Sequence, residues 1–216
     1  CEPIIRHDKI DKSIGKRKGT IMFPTTHDLH PDNIDSIIPF IKKLLLPGND
    51  VLIVSKPHPK VIKDICDTFH RYKDQILFRF TIGSVFDETL KYWEPGAPFF
   101  NDRLTSLSIA FNAGYKTSVS MEPMICKFVK PFIEKTRKYV TDSIWLGKMN
   151  DWKRRTSVNG VNSIPLDMLS GIEHWENDDN IWSLYYRYKE DPIIKWKESI
   201  KKIVGLKMPD QIGMDV

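Results

Sequence analysis

Cysteine is scarce in this chain: Cys1, Cys66 and Cys126 are the only three in 216 residues, and their spacing gives no disulfide framework. A reducing, cytoplasmic setting is therefore expected. No apolar run approaches the roughly 20 residues that span a bilayer, and no signal-peptide pattern is present, so no membrane partner is expected. Neither G-x-x-x-x-G-K-S/T nor G-x-G-x-x-G occurs, which speaks against nucleotide sites of those two types. There is no internal repeat and no low-complexity linker. The chain opens Cys1-Glu2-Pro3 without a methionine, from which an absent upstream segment is expected.

With 41% hydrophobic residues, a chain of this length can bury a sizeable core. Its net charge of +5 permits an anionic substrate or nucleic acid, yet the charges are interspersed in the manner of a solvated surface. Short, nearly continuous apolar runs alternate with helical spacings. The strands predicted are residues 19–26, 50–55, 75–81, 115–121 and 142–147. Such runs suit strands covered on both faces. Between them, Ile34, Ile37, Ile38, Ile41 and Leu44 or Leu45 recur at helical spacing after Pro31-Asp32. Val61, Ile62, Ile65, Cys66 and Phe69 do the same. Further helices are predicted over 101–113 and 127–140. Five strand–helix alternations with right-handed crossovers imply an α/β fold with a parallel sheet or open barrel over residues 1–150. Residues 151–216 are predicted to pack on it: a basic, then Asn- and Ser-rich stretch over 152–172, followed by two closing helices broken at Asp191-Pro192.

Every predicted strand end carries polar residues. They are Thr25, Thr26, His27 and Asp28; then Lys56; then Thr81 and Ser84. Ser118, Ser120 and Glu122 follow, and finally Lys148 and Asn150. In a parallel barrel the strand ends converge, so these groups are expected to ring one mouth. A lysine and a carboxylate placed there can pair with the carboxylate and ammonium of an amino-acid-like ligand, and hydroxyls and amides can bind a ribose.

Three segments carry a resemblance. Phe78-Arg79-Phe80-Thr81 is followed by Tyr92-Trp93-Glu94-Pro95-Gly96 and then by Gly114-Tyr115-Lys116. In order and spacing they resemble the Phe-Arg-Phe-Ser strand, His-Phe-Glu-Pro-Gly turn and Gly-Tyr-Lys strand of the spore photoproduct lyase-like branch of the radical S-adenosylmethionine (SAM) superfamily. The match runs from about Gly19 to Met124. It implies a partial (β/α)6 TIM-like barrel of the radical SAM type, with C-terminal helices. It further implies a 4Fe–4S cluster that cleaves SAM to a 5′-deoxyadenosyl radical, and a reductant such as flavodoxin or ferredoxin. By the same resemblance Lys56 falls on the contact for the SAM carboxylate, Thr81 on a SAM-contacting serine, and Asp28 on the contact for the methionine amino group. Glu122 replaces an apolar residue and is assigned to SAM or substrate.

Two departures matter. The C-x3-C-x2-C signature that would hold the cluster through three thiolates is not in this sequence, and Cys1 is expected to be its last cysteine. The signature is also expected to bring the sixth strand, since five are counted. The hydrogen-donating cysteine of the lyases is replaced by Thr25, whose hydroxyl cannot donate a hydrogen atom as a thiol does. The superfamily chemistry survives that change, and repair of spore photoproduct by that route does not.

Other readings of the residues stay open. His27, His30 and Glu122 could surround a divalent ion in a TIM-like hydrolase, although an H-x-x-H in a loop is a weak signal and a helix cap by Asp28 or Asp32 is favoured. His58, between two prolines, reads as a turn residue. Lys153-Arg154-Arg155 could grip phosphate in a non-catalytic nucleic-acid-binding barrel, against a solvated basic loop. The aromatics from Trp175 to Trp196 read as core.

Overall fold

The computed structural model describes residues 14–149, 171–172 and 174–210. Six strands form one sheet, all parallel, in the order β1-β2-β3-β4-β5-β6. Among the described residues, no helix is long and apolar enough to cross a membrane. The chain divides into two compact units. The first holds residues 14–81, Ala97–Val119 and Tyr139–Asp142; the second holds Ile82–Gly96, Ser120–Lys138 and the described residues from Ser143 onward.

In the first unit, β1 (Thr20–Phe23), β2 (Asp50–Ser55) and β3 (Ile76–Thr81) pair in parallel. Val51 and Ile53 of β2 and Ile76, Phe78 and Phe80 of β3 are fully buried at alternate positions. Parallel neighbours cannot be joined by a tight turn, so a helix returns the chain each time. The first, α1 (Ile34–Leu45), buries Ile37, Ile41, Leu44 and Leu45. The second, α2 (Pro59–Phe69), buries Val61, Ile62, Ile65, Cys66 and Phe69. The sequence spacing marks all of these; Ile34 and Ile38, which it also marks on α1, are half-buried.

Between β3 and the later elements lies α3 (Asp87–Trp93), part of the second unit, where the sequence spacing predicts no helix. Asp87 and Glu88 in its first turn suit the positive end of a helix dipole. Back in the first unit, α4 (Phe100–Asn112) leads to β4 (Lys116–Met121), of which Lys116–Val119 belong to that unit. The Tyr115 hydroxyl donates to the Cys66 carbonyl at 2.8 Å, fastening the start of β4 to α2.

The second unit contains α5 (Val129–Thr136), β5 (Ile144–Leu146), α6 (Asp178–Tyr188), β6 (Ile194–Trp196) and α7 (Glu198–Val204). Strand β6 pairs in parallel with β5, Ile144 opposite Ile194 and Leu146 opposite Trp196. Among the described residues, the sixth strand is Ile194–Trp196, within the last predicted helix. The predicted 152–172 stretch, with Lys153, Arg154 and Arg155, lies outside the described residues except for Gly171 and Ile172.

Two glycines allow backbone to approach closely in this unit. A Cβ on Gly147 would sit 2.8 Å from the Lys197 Cβ, and one on Gly83 would sit 2.9 Å from the Pro123 carbonyl oxygen. Both distances are too short for a side chain, and each glycine follows a strand directly or by one residue.

The C-terminal end of α1 depends on one buried amide. The Asn49 Nδ2 donates to the Leu44 carbonyl at 2.8 Å and to the Gly15 carbonyl at 3.3 Å, while its Oδ1 accepts from the Arg17 N–H at 2.6 Å. Asn49 is fully buried and its bond to the Leu44 carbonyl is buried too, so removing its amide strands that carbonyl away from water. Asn49→Ala is expected to cost about 1–3 kcal/mol, read as a lower denaturant midpoint with an unchanged slope. A midpoint equal to the parent's would show that the amide contributes nothing.

Candidate functional site

In the first unit the polar residues after β1 and β2 meet. Asp28 lies in the segment leaving β1 and Lys56 directly follows β2. One carboxylate oxygen of Asp28 accepts the Lys56 backbone N–H at 2.8 Å and the Ser55 hydroxyl at 3.3 Å. The other accepts the Lys56 ammonium at 3.1 Å. Ser55 is buried, and its oxygen also accepts the Leu29 N–H at 2.9 Å. The two charged side chains keep 42% and 27% of their surface in solvent. The carboxylate is thus oriented from below by buried backbone and hydroxyl donors, while the ion pair itself faces water.

Beside this pair, the His30 and His58 rings meet edge to face with centroids 4.8 Å apart. Burial, and next the neighbouring His30, hold the His58 imidazole below its ordinary value. His30 caps the 3-10 turn Pro31–Asn33: its Nδ1 accepts from the Asp32 N–H at 3.2 Å, and Asn33 returns the bond by accepting the His30 N–H at 2.9 Å. The expected cap by Asp28 or Asp32 is therefore corrected: an imidazole nitrogen serves, because Asp28 is held by Ser55 and Lys56. Thr26 and His27 are exposed.

Thr81 contributes through its carbonyl, which accepts from the Arg103 Nη1 at 3.1 Å, while the Arg103 Nε donates to the Pro98 carbonyl at 2.7 Å. Arg103 is fully buried and ties the end of β3 to the turn before α4. Nothing in the sequence signals that this guanidinium is turned inward. Ser118 accepts from the Arg79 Nε at 3.2 Å.

In the second unit the predicted residues are committed locally. The buried Ser84 hydroxyl accepts the Phe86 N–H at 3.0 Å, and the Ser120 carbonyl accepts the Ile82 N–H at 2.9 Å. Glu122 lies 3.5 Å from the Lys197 ammonium, which stands 4.9 Å over the Trp145 ring. The Lys148 N–H donates to the Ser199 hydroxyl at 3.0 Å, and its ammonium is 4.0 Å from Asp178. Asn150 and Cys1 lie outside the described residues.

Glu176 was not predicted. It is only 5% exposed, and its carboxylate accepts the Met149 N–H, at 2.9 Å to one oxygen and 3.2 Å to the other. Burial pushes its pKa up to about 7 against the opposing pull of that N–H and of Lys148. It sits between Trp175 and Asn177, and nothing in that local pattern distinguishes a buried carboxylate from a solvated one.

Among the described residues, no three His, Cys, Asp or Glu side chains come together as metal ligands. The His27, His30 and Glu122 set thus has no support as a metal centre. Burial pushes the Cys66 thiol up to about 12, which keeps it protonated at neutral pH, the opposite of a thiolate ligand. Cys126 is free and half-buried. No protein-family model matches the chain, and no curated protein matches its sequence.

The Glu176 carboxyl makes stability depend on pH with a definite sign. Its folded-state pKa lies above the unfolded one, so between about pH 4.5 and 7 the folded chain holds the extra proton. Stability therefore falls as pH rises through that window. Glu176→Gln keeps an acceptor for Met149 and removes the charge. At pH 8 the variant is expected to exceed the parent by on the order of 3 kcal/mol, with the gap closing towards pH 5. Denaturant unfolding at both pH values measures this, and a variant less stable at pH 8 would show that the ionised carboxylate is favourable.

Proposed function

We propose that this chain carries the SAM-binding α/β core of a radical SAM enzyme of the spore photoproduct lyase-like branch, with its sheet forming the partial (β/α)6 barrel of that class. The observation that carries the proposal is the Asp28–Lys56 pair at the ends of two parallel strands. The methionine part of SAM is a zwitterion. Asp28 is assigned to its ammonium and Lys56 to its carboxylate, so the ligand takes over a pair that neutralises itself beforehand. Opening a solvent-exposed pair of this kind costs about 0–1 kcal/mol. Ser55 and the Lys56 N–H keep the Asp28 carboxylate aimed while the ammonium moves. The ends of β1–β3 also form the sheet edge at which open α/β folds bind ligands.

When bound, a reduced 4Fe–4S cluster would supply the electron that cleaves SAM. Three thiolates are needed to hold it. Cys66, buried and protonated, does not fit that role, and Cys126 alone cannot fill it. Cluster chemistry, and with it a flavodoxin or ferredoxin reductant, belongs to this reading only through ligands outside the described residues. What the described residues are proposed to do is bind and orient the amino-acid end of SAM.

Calorimetric titration of the whole chain with SAM tests this. Binding is expected, with L-methionine competing. Lys56→Met and Asp28→Asn are each expected to weaken binding about tenfold or more, as loss of a charge-assisted contact requires. Circular dichroism checks that both variants fold. No binding by the folded parent, or unchanged binding by both variants, would overturn the proposal.

A further inference from the structure

The second unit contains a cleft of about 270 Å³ where the start of α5 faces α6. One face of α6 forms a wall: Asn180, Ser183, Leu184, Arg187 and Tyr188 recur at the three- and four-residue spacing that aligns side chains along a helix. Residues 127–131 form the opposite wall, and Trp175 completes the lining.

The lining is basic and contains no acid. Its charged residues are Lys127, Lys130 and Arg187, and neither aspartate nor glutamate is among the lining side chains. Lys130 lies 3.7 Å from Glu134, but both side chains are more than half exposed, and such a pair does little to neutralise the lysine. Lys127 stands 5.5 Å over the ring of Phe128, a contact that leaves its charge intact.

Aromatic surface lies beside these charges. Phe128 is 41% exposed and meets the 44% exposed Phe86 edge to face, with centroids 4.9 Å apart. Exposed rings next to cations are the elements that stack bases and grip phosphates. We propose that this cleft binds a nucleotide, its phosphate among Lys127, Lys130 and Arg187 and its base against Phe128 and Tyr188. The cleft is smaller than the roughly 300–1,000 Å³ that engulfs a drug-sized ligand. It therefore takes one nucleotide unit, either free or as part of a strand. The proposal stands on side chains other than Asp28 and Lys56 and goes beyond SAM binding.

The test is a set of titrations of the whole chain at low salt. The probes are thymidine monophosphate, inorganic phosphate, a thymidine oligonucleotide and a glutamate-rich peptide. A pyrimidine is chosen because SAM itself carries adenosine. Thymidine monophosphate is expected to bind about tenfold more tightly than inorganic phosphate and to weaken as salt rises. The double variant Lys127→Ala, Arg187→Ala changes two exposed side chains and is expected to lose about tenfold or more of that affinity. It should bind SAM as the parent does, while Lys56→Met should bind thymidine monophosphate normally. Tighter binding of the oligonucleotide identifies a strand as the source, and equal binding identifies the free nucleotide; both support the site. The site is overturned if phosphate or peptide binds as well as the nucleotide, if the double variant binds unchanged, or if the folded parent binds none of the probes.

Discussion

The parallel pairing of β2 with β1 on one side and β3 on the other is the constraint on which the first unit depends. With Phe23 opposite Ile53, the chain leaving β1 runs beside the residues that end β2. Asp28 is consequently delivered to Ser55 and Lys56, although 27 and 28 residues of chain separate them. The pairing also forces each return through a helix, because parallel strands cannot be closed by a short turn. The helices α1 and α2 then take the apolar faces that the sheet leaves uncovered. A polar pair at the strand ends follows from this geometry, since the strands themselves are nearly wholly apolar.

A different economy governs the second unit. Its strands β5 and β6 have three residues each, and its backbone segments approach one another where Gly83 and Gly147 leave no side chain. Charges are drawn inward as a result. Lys197 is held between Glu122 and the Trp145 ring, and Glu176 is buried against the Met149 N–H. A buried carboxylate with one backbone donor is incompletely compensated, which is why its proton is retained to near neutrality. The solvent-facing Asp28–Lys56 pair contrasts with it: partial hydration makes that pair inexpensive to open.

The elements with long periodic patterns were legible. The apolar positions of α2 and most of those of α1 are buried, Ile34 and Ile38 only half so, and β1 to β5 lie within the stretches predicted for them. Two elements were not. Residues 87–93 look polar because a short helix has few residues to bury, and only Leu90 of α3 is buried. Ile193, Trp196, Ile200 and Ile203 stand at helical spacing, yet Ile194–Trp196 is a strand. Three residues are too few to show a period of two, and hydrogen bonding to β5 decides the matter. Of the candidate site, Asp28 and Lys56 were named from their places at strand ends, and the structure brings those two together. The partners of Glu122 and Lys148 were not foreseen, because Lys197 and Ser199 lie some 50 or more residues further along.

By itself, the sequence determined the alternation of strand and helix, and the polar residues waiting at strand ends. Both follow from local hydrophobic periodicity and from turn chemistry, which act over a few residues. Tertiary structure alone decided which polar side chains are spent on the fold and which stay open to solvent. Thr81 and Arg103 are fastened to each other through a backbone carbonyl, Ser84 closes a turn, and Glu176 sits buried. Asp28 and Lys56 face solvent. The same residue types take opposite roles because burial and hydrogen-bond partners are set by chain segments distant in sequence, and no local pattern encodes them.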